Sequence, residues 1–390
     1  MSHVMNTYAR LPVAFVRGEG AWLWDADGKR YLDGLSGIAV NTLGHAHPRL
    51  TAALHQQIDR LIHCSNLYQV NGQVQLADKL CALSKMDEVF FSNSGCEANE
   101  AAIKLARMYG HQRGVHLPNI IVMERSFHGR TMATLSATGN YKIQKGFEPL
   151  VTGFIRVPYN DLAAIRQAAS DHDNIVAVLV EPLQGEGGIR TLDADYLQQL
   201  RALCDAQEWL LMLDEVQSGI GRTGQWFAHQ HCGIVPDVMT LAKGLGSGVP
   251  IGACLTAKRA TGVFQPGNHG STFGGNPLAC AAGFHTLSIM EQDGLLAHAD
   301  KLGQFIRNGV QQRLAGETGL VEVRGQGLMI GIELDKPCGE LVKRALEKGL
   351  LINVTADTVI RLLPPLIMSE AEASQLLDIL CPLIQDFLHA

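Results

Sequence analysis

Between about residue 51 and the 290s the chain repeats one pattern, in which a short apolar run ends on polar residues and a helical stretch follows. The runs are EVFFSN (88–93), NIIVM (119–123), IVAVLVEP (175–182), WLLMLDE (209–215) and DVMTLAK (237–243). Apolar runs of this length alternating with amphipathic helices indicate parallel β/α/β units. The stretch CEANEAAIKLARMYG puts Ala98, Ala101, Ala102, Leu105 and Tyr109 on one helical face, and DADYLQQLRALCDAQ does so with Leu197, Leu200 and Leu203. The expected class is α/β, with a large domain over 51–296 built on a mainly parallel sheet flanked by helices.

Past about residue 297 the order changes. A helix with Leu302, Ile306, Val310 and Leu314 on one face precedes a Gly-broken pair of strands, VEVRGQGLMIGIEL, so 297–390 reads as a smaller α+β domain. Its last helix opens with Ser369 and, three residues on, Glu372, a capping-box pattern, and Pro382 is expected to kink or divide it. WLWDADGKRYLDG reads as a hairpin around Asp27-Gly28, and the segment 1–50 is expected to pack with the small domain.

Composition limits the partners. A net charge of -6 gives no general reason to attract nucleic acid or anionic lipid, and 46% hydrophobic against 18% charged residues excludes wholesale disorder. No apolar run approaches the roughly 18 residues of a membrane span, and the N-terminus lacks the basic and long apolar regions of a secretion signal. The 9 cysteines form no C-x-x-C pair, which fits a reducing compartment, and a cytoplasmic protein is expected. Small molecules or a second copy are the expected partners.

In open parallel sheets ligands bind beyond the carboxyl ends of the strands. Four such ends carry chemistry: WLLMLDE delivers Asp214, DVMTLAK delivers Lys243, Ser94 and Gly95 follow FFSN, and Glu181 and Glu186 lie in VLVEPLQGEGG. Lys243 opens a Gly-rich turn; by itself it is either a solvated loop lysine or an amine made nucleophilic by desolvation, able to form a Schiff base. Asp214, preceded by Trp209 to Leu213, either caps the next segment or faces a cationic ring nitrogen such as a pyridinium. SNSGCEANEAAIKL starts a helix near Cys96, where the N–H groups of Gly95 and Cys96 suit an anion, or where Ser94 simply caps the helix. Glu97 and Glu100 would repel a phosphate there. GLGSGVPIG lacks the third glycine of a dinucleotide loop and no P-loop pattern occurs, which disfavours nucleotides. The pairs His45/His47 and His229/His231 read as turn and surface residues, and no metal site is expected.

Together the motifs GIAVNTLGHAHP, SNSGCEANEAAIK, SFHGRT, VEPLQGEGG, LDEVQSGIGRTG, LAKGLGSGVPIGA, HGSTFGGNPLACAA and VIRLLPP resemble, in order and from about residue 10 to 365, the class III or ω-type aminotransferases that use pyridoxal phosphate. Within them the acetylornithine branch is most similar. The resemblance implies a fold-type-I architecture and pyridoxal 5'-phosphate as cofactor. It makes Lys243 the lysine that carries the cofactor and shuttles the proton, and Asp214 the carboxylate that keeps the pyridine nitrogen protonated. Ser94, Gly95 and Cys96 correspond to the phosphate cup, Phe127 to the aromatic stacked on the ring, and Gln217 to the group near the ring hydroxyl. Ser271 and Thr272 correspond to a phosphate contact given by the other subunit, which implies a homodimer with shared sites. Many relatives carry a small or hydroxylated residue at Cys96, so its backbone N–H is the group expected to act.

Substrate recognition is carried over to three positions. Arg130 resembles a carboxylate fork, Arg361 the second arginine that takes the α-carboxylate of glutamate or 2-oxoglutarate, and Glu186 an acid that gates it. Ornithine-specific relatives carry a tyrosine at Ile38, so an N-acylated diamino acid is the better donor here. The implied reaction takes N-acetylornithine and 2-oxoglutarate to N-acetylglutamate semialdehyde and glutamate, a step in arginine synthesis. N-succinylornithine, N-acyl-lysine and 4-aminobutyrate are alternative donors. A racemase or aminomutase on the same fold and a non-catalytic binding protein are the remaining readings.

Overall fold

The computed structural model describes residues 3–390; residues 1 and 2 of the N-terminal segment lie outside the described residues. All five apolar runs form strands of one seven-stranded sheet, in the order Glu88–Ser92, Gly252–Thr256, Val238–Leu241, Leu210–Asp214, Ile175–Val180, Asn119–Met123, Phe154–Val157. Neighbours from Val238–Leu241 to Phe154–Val157 pair in parallel. Gly252–Thr256 is antiparallel to both its neighbours. The reason is chain length: parallel pairing needs a crossover of about a dozen residues or more, and the segment 242–251 is too short to supply one. Two strands escape the sequence pattern, Phe154–Val157 because Arg156 interrupts its apolar run and Gly252–Thr256 because small residues dominate it.

The helix Gly95–Gln112 lies on this sheet with Ala98, Ala101, Ala102, Leu105 and Tyr109 buried, the face expected from their spacing. On the opposite side Leu197 and Leu200 of the helix Ala194–Ala206 cover the same strands. Ile175–Val180 and Leu210–Asp214 are buried at every position, which is the cost and the signature of a sheet covered on both faces.

The hairpin around Asp27-Gly28 forms, pairing Trp22 with Leu32 and Trp24 with Arg30. Its second strand, Arg30–Asp33, pairs in parallel with Leu350–Leu351, so the hairpin is tied to a strand more than three hundred residues on. There the strands Leu320–Gln326, Met329–Leu334, Val359–Leu362 and Asn353–Thr355 make an antiparallel sheet packed on the helix Leu295–Arg313, which in turn packs on the helix Glu370–Leu388. Leu302, Ile306, Val310 and Leu314 are all buried there.

The Ser369 capping box is complete: Ser369 accepts from the Glu372 N–H, and the Glu372 side chain accepts from the Ser369 N–H at 2.8 Å. The expected division at Pro382 does not occur, and the helix Glu370–Leu388 runs through it. A proline inside a helix costs about 3 kcal/mol through a lost hydrogen bond and a clash. Here Pro382 and Asp378 are exposed, so water meets the freed carbonyl, while Leu380, Cys381, Leu383, Ile384 and Phe387 bury the opposite face.

Candidate active site

The carboxyl ends of the parallel strands open into a cavity of about 480 Å³, lined among others by Ser94, Gly95, Cys96, Phe127, His128, Arg130, Glu181, Glu186, Asp214, Gln217 and Lys243. Asp214 is the last residue of a wholly buried strand and is itself only 5% exposed. A carboxylate so placed must be hydrogen-bonded. Its Oδ2 accepts from Asn99 Nδ2 at 2.7 Å and lies 2.8 Å from His128 Nδ1, while Oδ1 accepts from the Val216 N–H at 3.0 Å. Asn99 is oriented in turn, because its Oδ1 accepts from Thr240 Oγ1 at 2.7 Å and its Nδ2 also reaches the His128 carbonyl at 2.8 Å. With His128 donating from Nδ1, its Nε2 is left buried and, among the described residues, without a partner.

Lys243 enters the cavity from the next strand end. Its φ of +43° is a strained, left-handed conformation for a residue with a side chain. The turn is held from the N-terminal segment, where Thr42 Oγ1 donates to the Gly244 carbonyl at 3.2 Å and Ser247 Oγ accepts from the Leu43 N–H at 2.9 Å. Burial lowers the Lys243 pKa and the Arg361 guanidinium lowers it further, against the opposing pull of Glu186, Asp214 and Glu181. Glu181 shifts the other way. Burial pushes it up to about 7; His128 opposes and Asp214 adds to the rise, and N–H bonds from Phe127 and Gly185 oppose it.

At the start of the helix Gly95–Gln112, Ser94 Oγ caps the helix by accepting from the Glu97 N–H at 3.2 Å. The cap forms, and among the described residues the N–H groups of Gly95 and Cys96 have no hydrogen-bond partner, which leaves them open to an anion. Glu97 and Glu100, expected to repel a phosphate, do not line the cavity and are hydrogen-bonded elsewhere. Glu97 folds back onto Asn93, accepting from its backbone N–H at 2.8 Å and from Nδ2 at 3.0 Å, and Glu100 accepts from Thr131 Oγ1. Gly95 is required by a close approach: a Cβ there would lie 2.6 Å from Val216 Cγ1. The Cys96 thiol also works, its Sγ accepting from the N–H groups of Arg130 at 3.0 Å and Thr131 at 3.3 Å.

Arg361 is fully buried on the strand Val359–Leu362, and its Nη1 meets Glu186 Oε1 at 2.7 Å. Its Nε donates to Asn353 Oδ1 at 2.9 Å, and Nη1 also approaches Gln217 Oε1 at 3.3 Å. Arg130 is exposed, with its guanidinium carbon 5.7 Å from the centre of the Phe127 ring. Ser271 and Thr272 do not line the cavity; Ser271 Oγ lies behind Asn93, 3.3 Å from Nδ2, and Thr272 is exposed. Ile38 is likewise absent from the lining, where Val40 stands instead.

Among the lining residues with no assigned role in the sequence reading are Asn99, His128 and Glu181. Asn99 had a signal, being a polar residue one step from Ala98 on an otherwise apolar helical face. The His229 expectation is corrected, because His229 is buried and its Nδ1 lies 2.9 Å from Glu215 Oε1. Burial between a strand end and a short helical turn hides it from a surface reading of its polarity.

The donor set fits pyridoxal phosphate. A buried anion stands where a cationic ring nitrogen needs a partner, an amine with a lowered pKa stands nearby, and free N–H groups at a helix start suit a dianion. The family model for class-III aminotransferases matches residues 4–384. An acetylornithine aminotransferase of Nitrosomonas europaea is 60% identical over 390 residues, 100% of this chain and 99% of its own. Among solved structures, an ornithine aminotransferase of Toxoplasma gondii, described with partial occupancy of PLP at its active site, superposes with a TM-score of 0.95 at 32% identity, covering 100% of this chain and 93% of the other. An acetylornithine aminotransferase of Elizabethkingia anophelis gives 0.87 at 36% identity, covering 99% and 97%. A cavity built to hold pyridoxal phosphate and a match along nearly the whole chain lead to one conclusion: the chain belongs to the class-III aminotransferases, with pyridoxal phosphate as its cofactor.

Proposed function

We propose that the chain transfers the terminal amine of N-acetylornithine to 2-oxoglutarate, giving N-acetylglutamate semialdehyde and glutamate, as the name of the 60% identical relative suggests, and that it serves arginine synthesis. The observation that carries this reading is the Glu186–Arg361 pair at 2.7 Å. While it is closed, one arginine is neutralised and only Arg130 is open to a carboxylate, which suits a donor whose reacting amine has no carboxylate beside it. When Glu186 swings away, Arg361 becomes available to the α-carboxylate of glutamate or 2-oxoglutarate. Glu186 has the room to do so, with its side chain 37% exposed against 1% for Arg361.

When bound, pyridoxal phosphate supplies an electron sink for the carbanion left as the substrate carbon loses its proton. Asp214, held by Asn99 and His128, keeps a proton at the pyridine nitrogen. Lys243 Nζ moves the proton on and off the substrate carbon, a role that a pKa lowered by burial favours at neutral pH. The N–H groups of Gly95 and Cys96, with Ser94 as the helix cap, would hold the phosphate, Phe127 would flank the ring, and Gln217, which lies beside Arg361, would serve the ring hydroxyl. Ser271 and Thr272 act in the partner's site of a homodimer. Their absence from the cavity of their own chain supports this, as do the exposed apolar side chains of Leu61, Ile62, Leu67, Tyr68 and Phe273. The same reading divides the chain near 296/297 into a cofactor-binding body and a C-terminal part that brings Arg361. No described helix is long and apolar enough to cross a membrane, and a cytoplasmic location accords with this reading.

The test is the visible absorption of the holoenzyme mixed, without keto acid, with N-acetylornithine, ornithine, N-succinylornithine, N-acetyl-lysine or 4-aminobutyrate. N-acetylornithine is expected to bleach the cofactor band fastest. A faster donor among the others replaces the substrate, and a band that no donor bleaches removes the reaction.

A further inference from the structure

Glu181 is a buried carboxyl in the cavity wall with no part in the chemistry above. It follows the strand Ile175–Val180, and its two oxygens reach different segments. Oε1 accepts from the Phe127 N–H at 2.8 Å, and Oε2 accepts from the Gly185 N–H at 3.3 Å. Phe127 leads into His128, which holds Asp214, and Gly185 leads into Glu186, which holds Arg361. The Glu181 backbone is itself pinned, its carbonyl oxygen lying 3.0 Å from the Tyr159 hydroxyl.

We infer that Glu181 is a positioning residue that locks the segment bearing Glu186 to the segment bearing Phe127, and so sets where the gate swings relative to the aromatic wall; this deepens the reading of Glu186 and Arg361 as a gate and rests on it. A second contact confines Gly185 independently. A Cβ on Gly185 would lie 2.3 Å from Gln217 Oε1, the atom that Arg361 Nη1 approaches at 3.3 Å. Gly185 is therefore packed against the Gln217 side chain while its N–H is drawn to the Glu181 carboxylate. Glu186 begins its swing from a hinge fixed on both these contacts. Without the carboxylate the Gly185 and Phe127 N–H groups lose a shared acceptor, and both the gate and the aromatic wall shift together. Shifts of this kind at a reacting centre cost roughly tenfold to a hundredfold in rate.

The experiment compares the holoenzyme with Glu181→Gln and Glu181→Ala, reading the visible circular dichroism of the bound cofactor and kcat and KM for N-acetylornithine and for glutamate. Glu181→Gln keeps the shape but loses one acceptor, and it covers the case in which the alanine variant does not fold. The inference expects altered dichroism, a raised KM for both donors, and kcat/KM down about tenfold or more for each. Dichroism and KM values unchanged from the parent, even with a lowered melting temperature, overturn it, since a merely structural residue gives that result. Glu186→Ala run alongside separates the inference from the reading beneath it. Its ratio of N-acetylornithine to glutamate turnover tests the gate itself, whereas the Glu181 variants test what holds the gate in place.

Discussion

A buried carboxylate must be hydrogen-bonded, and Asp214 has three partners, Asn99, His128 and the Val216 backbone. Asp214→Asn preserves that shape and removes the charge, so turnover with N-acetylornithine is expected to fall at least about a hundredfold, with folding retained; single-turnover absorbance and a melting curve check both. Lys243 and Asp214 were legible in the sequence because each ends an apolar run, a place that sequence marks directly. Asn99 and His128 were not, since they meet Asp214 across 115 and 86 residues of chain and only the folded sheet brings them together. Glu181 allows a prediction on stability. Its folded pKa, about 7, lies above the ordinary value of 4.5, so the folded state gains from binding a proton there, and that contribution is complete below about 4.5 and is lost as pH rises through about 7. Glu181→Gln cannot ionise, so the parent is expected to lose stability relative to this variant over that interval, as denaturant titrations at several pH values measure.

Elements place these residues by their ends. The helix Gly95–Gln112 is capped by Ser94 and opened by a glycine that sits against Val216. A methyl group at this position must displace Val216, whose N–H serves Asp214, or the helix start itself. Gly95→Ala is therefore expected to weaken cofactor binding by roughly tenfold or more, measured by titrating the apoenzyme with pyridoxal phosphate, with little loss of helix because alanine is a good helix former. The helix starts at Gly95 and Glu370 were visible in composition, because capping uses particular side chains at fixed offsets. The continuity at Pro382 was not visible, since it depends on which face the proline presents to water.

For the whole molecule, alternation of strand and helix gave the parallel body of the sheet. It was silent on the strand Gly252–Thr256, whose direction follows from the shortness of the preceding loop. Pairing between subunits belongs to this scale too. Phe273 is 61% exposed beside Ser271 and Thr272, and its ring centre lies 5.4 Å from that of His63. Phe273→Asp puts a charge into the proposed interface; the holoenzyme is expected to sediment as monomer at low micromolar concentration and to lose cofactor with the dimer.

The tie between the two ends of the chain has a further consequence, for the order in which a newly made molecule becomes an enzyme. Thr42 and Leu43 brace the Lys243 turn, yet their own segment is fastened by residues made some three hundred positions later: Leu32 donates to the Gly349 carbonyl, Leu363 to that of Gly34, and Leu366 to that of Thr42. Synthesis runs from the other end. Residues 32–43 must wait until residues 349–366 are made before these partners exist, and until then the turn bearing Lys243 lacks its fastened brace. Cofactor capture is therefore expected only after residue 366 has been made, and a chain stopped before it, however much of the parallel sheet it contains, is expected to lack a braced pocket in which to trap a reactive aldehyde.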